Sequence, residues 1–78
     1  MIHMQFVRIR DNALVMDGCC PSEDHMNDFL YEKVSELGLG DWLVNRLKQC
    51  LCFESRAMFL ERCGLKVLYE TLEQKEDS

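Results

Sequence analysis

The sequence predicts an α+β fold: an N-terminal β-hairpin packed against three or four short helices, with residues 65–72 open to reading as a third strand. Three observations point there. Apolar and polar residues alternate from Phe6 to Arg10, and apolar residues then recur three and four apart from Met26 to Leu37. The third is quantity: 47% of the 78 residues are hydrophobic, too many for a disordered chain and enough for a single small globular domain spanning residues 1–78. A chain this short buries a thin core, so a homodimer is a natural way to add buried surface.

Residues 4–17 form the hairpin. Phe6-Val7-Arg8-Ile9-Arg10 alternates, Ala13-Leu14-Val15-Met16 is apolar, and Asp11-Asn12 between them suits a two-residue turn, because both residues tolerate positive φ. That turn sets Arg10 opposite Ala13, Ile9 opposite Leu14 and Val7 opposite Met16. Val7, Ile9, Leu14 and Met16 then share the core face, and Phe6, Arg8, Arg10 and Val15 the other. Two strands alone are marginal, so helices or a further strand must cover the ribbon.

Asp17-Gly18-Cys19-Cys20-Pro21 reads as a connection to the first helix. Ser22 is its expected N-cap, with Glu23 and Asp24 in the first turn, where acids favour the helix dipole. Met26, Phe29, Leu30, Val34 and Leu37 supply the buried stripe, and Gly38 the C-cap. Asp41 is placed to cap a second helix through about residue 51, with Leu43, Val44, Leu47, Cys50 and Leu51 on its apolar face. A third helix begins near Ser55 and carries Ala57, Met58, Phe59, Leu60 and Cys63. From Leu65 to Leu72 the two periods compete. Leu65, Leu68, Tyr69 and Leu72 fit a helix, whereas Leu65, Val67, Tyr69 and Thr71 fit one face of a strand. The helix-favouring Glu73-Gln74-Lys75-Glu76 that follows tips the reading toward helix.

Charge is unevenly spread within a net of −5. Glu23, Asp24, Asp28, Glu32, Glu36 and Asp41 stand against Lys33 alone between residues 23 and 41. Residues 46–66 reverse the balance with Arg46, Lys48, Arg56, Arg62 and Lys66, and the tail is acidic again with Glu70, Glu73, Glu76 and Asp77. Asp24, Asp28, Glu32 and Glu36 are four apart, so a helix would align them in one ridge away from the apolar stripe. Three like-charge pairs at that spacing each cost about 0.2–0.5 kcal/mol. Helix stability does not ask for such a ridge; a basic partner surface would. Tyr31 and Ser35 flank it and can add hydrogen bonds. Trp42, at the edge of the second helix's apolar face, is either an interface anchor or a lid on the core, and core is the favoured placement. The ordinary alternative for the whole ridge is a solvated, salt-screened helix face.

The acidic balance counts against nucleic acid, whose phosphates call for a net basic surface; Arg8 and Arg10 on the hairpin are too few. No apolar run approaches the length that spans a bilayer, and Arg8, Arg10 and Asp11 interrupt any signal-like segment, so no membrane is expected. Five cysteines, Cys19, Cys20, Cys50, Cys52 and Cys63, read as reduced thiols of a cytoplasmic protein. None is spaced as a zinc pair, and Cys50 and Cys63 fall where helical faces want small apolar residues. A split site of Cys19 or Cys20, His25 and Cys52 can be imagined but has no motif behind it. No nucleophile–base motif, phosphate loop or H-E-x-x-H is present, so no catalytic residue and no cofactor is assigned.

The expectation is a non-enzymatic protein-binding regulator or inhibitor that occludes a basic or mixed-charge target surface. The acidic helix of residues 23–37 would carry it, through Asp24, Asp28, Tyr31, Glu32, Ser35 and Glu36, with Trp42 beside it. The alternatives are a small assembly subunit, homodimeric through the hairpin edge and Trp42, and a weak zinc- or nucleic-acid-binding module.

Overall fold

The computed structural model describes residues 1–72. Chain order is β1 (Ile2–Arg8), β2 (Ala13–Cys20), one 3-10 turn (Glu23–His25), α1 (Met26–Glu36), α2 (Asp41–Gln49), α3 (Phe53–Arg62) and β3 (Leu65–Thr71). The hairpin β1–β2 is joined by β3 on the free side of β1, so the sheet order is β2-β1-β3, antiparallel throughout. The α+β architecture is therefore a three-stranded sheet with three helices. Within residues 65–72, Leu65–Thr71 is strand, not helix. Leu65, Val67 and Tyr69 lie on the face of Met4 and Phe6, and the second edge of β1 gains a hydrogen-bonded partner. Residues 73–76, which favoured helix, and the acids Glu73, Glu76 and Asp77 lie outside the described residues.

The hairpin register differs from the expected one. Arg8 pairs with Ala13, Val7 with Leu14 and Phe6 with Met16, so the loop is Ile9–Asn12, four residues rather than two. Two features fix that loop. Arg8 donates to both Asp11 carboxylate oxygens at 2.9 Å, and the Ala13 N–H donates to Asp11 Oδ1 at 3.3 Å, with Asn12 at φ 60°. Val15 is then the extra residue of a bulge between the Phe6 and Val7 pairs. The core takes the face of β1 opposite to the one expected, and the one-residue bulge moves Met16 to the Phe6 side. Ile2, Met4 and Phe6 point into the core, whereas Ile9 and Leu14, expected inside, are 43% and 52% exposed. Val7 is buried on the outer face, between Leu14 and Lys66. The sheet continues through Cys19 and Cys20, which extends β2 where a connection was expected.

The helices follow the apolar pattern more closely. Met26, Leu30 and Val34 of α1 are buried, with Phe29 and Leu37 packed beside them. Ser22 does not cap α1: its hydroxyl lies 3.0 Å from His25 Nδ1, and the 3-10 turn intervenes. Leu43 and Leu47 of α2 and Leu60 of α3 complete the core above Met4 and Phe6. Gly40, at φ 109°, caps α2 where Asp41 was expected, and α2 ends at Gln49, leaving Leu51 95% exposed in the connection to α3. Helix α3 starts two residues before Ser55. The small-apolar role expected of Cys50 and Cys63 is not realised: Cys63 is exposed and Cys50 only half-buried.

One polar residue is built into this core. Arg56 is buried, donating from Nε to Leu47 O at 2.9 Å, from an Nη to Cys50 O at 3.0 Å, and from the other Nη to Asn27 Oδ1 at 3.1 Å. It adds a second donor to Leu47 O, which already accepts the Cys50 N–H at 3.1 Å, supplies a donor to Cys50 O just past the end of α2, and ties α3 to α2 and α1.

Candidate functional site

The predicted acidic residues divide between two elements. Asp28, Glu32 and Glu36 are on α1, four residues apart and exposed, with Ser35 exposed between them. Asp24 sits in the 3-10 turn before α1, where the 3.6-residue period does not hold, so the helical ridge has three acids rather than four. Glu36 is paired with Lys33 at 3.5 Å. Asp24, Asp28 and Glu32 have no ion-pair partner among the described residues. Asp28 and Glu32 border a shallow notch of about 170 Å³ shared with Cys19, Cys20, Pro21, His25 and Phe29, where α1 lies along β2. The approach is close there: a Cβ on Gly18 would stand 2.8 Å from Phe29 Cζ. Lys33 lies over Phe29, its Nζ 5.2 Å from the ring centroid.

Tyr31 turns its ring toward α2 rather than outward with the acids. It is half-buried on the α2 side of α1, with Lys48 Nζ 5.5 Å and Arg56 Cζ 5.7 Å from its ring centroid. Trp42 is not in the core. It is 57% exposed at the start of α2 and lies back against Gly40, where a Cβ would come within 2.8 Å of the indole Cδ1. The basic run in the sequence also disperses. Arg56 is structural, Arg46 stands 5.4 Å from the Phe59 ring centroid, Lys48 covers Tyr31, Arg62 borders a depression with Cys50, Ser55, Met58 and Phe59, and Lys66 is on the outer face of β3. The exposed helical layer thus has an acidic strip on α1, with Lys48 on the flank of α2 toward α1 and Arg46 on the flank toward α3, one turn after Trp42.

The five cysteines are unpaired thiols. Cys20 is buried, which pushes its thiol above its ordinary pKa, and it donates to Ser22 O at 3.6 Å. Cys52 Sγ lies 3.3 Å from Ser55 Oγ at the start of α3, and Cys50 donates to Arg46 O at 3.6 Å. Among the described residues no three His, Cys, Asp or Glu side chains converge as metal ligands, and no helix is long and apolar enough to cross a membrane. On the outer sheet face His3 Nε2 is 3.3 Å from Asp17 Oδ2. Sequence reasoning missed Arg56 as a structural residue. Its signal was positional, because Phe53, Arg56 and Leu60 are spaced as one buried stripe of α3. No family model matches the chain, nor does any curated protein or solved structure.

Proposed function

We propose that the chain is a non-enzymatic regulator or inhibitor that binds another protein through its exposed helical layer and covers a working surface of that target. The observation that carries the reading is the pair Asp28 and Glu32. They project from a well-packed helix, carry no ion-pair partner among the described residues, and border a notch. Burial of the opposite side of α1 through Met26, Leu30 and Val34 holds them rigidly, which lowers the ordering cost of binding. The fitting partner surface is basic opposite α1 and mixed opposite α2, where Trp42 supplies an exposed aromatic anchor one helical turn before Arg46. Five unpaired thiols suit a reducing compartment, and a cytoplasmic location belongs to this reading.

The test uses wild-type protein and D28K/E32K, each immobilised and exposed to native lysate at several salt concentrations. Both residues are exposed, so the double variant should keep the wild-type circular dichroism and melting curve. Under this proposal a protein retained by wild type is lost by D28K/E32K, and its retention by wild type weakens as salt rises. An identical retained set for both proteins would sink the proposal.

A further inference from the structure

Strand β3 has β1 on one side and, among the described residues, no strand on the other. The pairing determines which backbone groups face that open side. Ile9 N–H donates to Gly64 O at 3.0 Å and Leu72 N–H to Met1 O at 2.8 Å, at the two ends of the β1–β3 ladder. Bonded and non-bonded pairs alternate along an antiparallel ladder. Lys66, Leu68 and Glu70 therefore turn their N–H and C=O groups toward Val7, Gln5 and His3 of β1. Val67 and Tyr69 turn theirs outward.

The side chains are self-complementary about one residue. The strand reads Lys66-Val67-Leu68-Tyr69-Glu70. A second copy running antiparallel with Leu68 on a two-fold axis places Lys66 opposite Glu70 of the other copy, twice. It also places Val67 opposite Tyr69, twice, in the pairs whose backbone groups point outward and can exchange both hydrogen bonds. Leu68 meets Leu68 in a non-bonded pair, where side chains come closest. Centring the axis on Val67 instead sets Lys66 against Leu68, and centring it on Tyr69 sets Leu68 against Glu70. Only the Leu68 register satisfies charge, apolar contact and backbone together.

This edge is also the less protected of the two. On β2 the Val15 bulge interrupts the ladder, whereas β3 pairs with β1 without a break from Leu65 to Thr71. Leu68 and Tyr69 remain 40% and 49% exposed.

We propose that the chain forms a two-fold homodimer through β3, the two sheets joining into one across the Leu68 axis. The contact uses the free edge of β3, whose core face packs against α3, and α1 lies along β2 at the opposite edge, so the proposal does not rest on the α1 reading and the dimer displays two α1 surfaces at its far ends.

Light scattering on the full chain over a dilution series tests it. Wild type should pass from monomer to dimer as concentration rises. K66E or E70K alone sets like charges opposite each other in both pairs and should weaken the dimer by roughly ten-fold or more in dissociation constant. K66E/E70K restores opposite charges and should recover most of that loss. A second measurement needs no variant: amide exchange at Val67 and Tyr69 should slow as wild-type concentration rises. A wild type that is monomeric at every concentration overturns the proposal. So does a dimer indifferent to both single reversals, or exchange at Val67 and Tyr69 that does not depend on concentration.

Discussion

Arg56 shows how one side chain can substitute for a cap. A guanidinium is costly to bury unless its donors are used, and here three N–H groups meet Leu47 O, Cys50 O and Asn27 Oδ1. The Tyr31 ring beside it adds a favourable quadrupole. Removing the side chain strands Cys50 O, leaves Leu47 O with the Cys50 N–H alone, takes a donor from Asn27 Oδ1, and leaves a gap between α2 and α3. R56M should therefore lower stability by about 2–3 kcal/mol, read as a shift of the urea midpoint. R56K should recover little, since an ammonium on a flexible stem cannot reproduce the fork. A midpoint for R56M within experimental error of wild type would mean that water replaces all three bonds. The residue scale is also where the sequence is hardest to read. Arg56 looks like one more member of a basic run, and Tyr31 like a neighbour of the acids. Nothing in a one-dimensional charge count separates a buried guanidinium from an exposed one.

At the scale of elements, legibility follows periodicity. Helix α1 was readable because Met26, Leu30 and Val34 repeat over three turns and Gly38, at φ 72°, stops them. The hairpin was readable as a hairpin but not in register. The two-residue Asp11-Asn12 turn lost to a four-residue loop held by Arg8 and Asp11, a contact between side chains that no turn propensity encodes. The Leu65–Leu72 segment satisfied both periods, and the vacant edge of β1, a tertiary fact, decided for strand. Among the candidate site residues, Asp28, Glu32, Ser35 and Glu36 were placed together by the helical period alone, while Asp24, Tyr31 and Trp42 depended on the 3-10 turn and on packing between helices. The α1–α2 junction depends on a backbone conformation that favours glycine. Gly40 lies at φ 109°, and a Cβ there would meet Trp42 Cδ1 at 2.8 Å. G40A should cost about 1–3 kcal/mol in urea unfolding and shift Trp42 fluorescence to the red as the indole is displaced. G40A/W42A should recover only part of the loss, because the steric clash goes and the backbone strain stays. Full recovery in the double variant would place the whole cost in the clash.

For the whole molecule, stability converges on the central strand. Among the described residues only β1 has a strand on each side, and its Ile2, Met4 and Phe6 lie beneath buried residues from all three helices. Phe6 is fully buried where Leu43, Leu47 and Leu60 also belong to the same cluster, so the helices share one core rather than holding separate ones. A chain of this length has about 4–12 kcal/mol of stability at ordinary per-residue values, with small domains toward the lower end. Phe-to-Ala in a packed core removes about 3–5 kcal/mol, a large part of that total. F6A should therefore leave a substantial unfolded fraction in water at room temperature. Because the core is shared, the far-ultraviolet helical signal and the amide-exchange protection of β1 should be lost together along one urea curve. L51A is the matched control, since Leu51 is 95% exposed, and its midpoint should stay within about 0.5 kcal/mol of wild type. If F6A instead kept its helical signal while the sheet melted, the helices would have a stability of their own and β1 would not be the keystone of the fold. A single shared transition in F6A would mean that whatever surface α1 presents exists only while β1 is seated, and that the binding face and the core rise and fall as one unit.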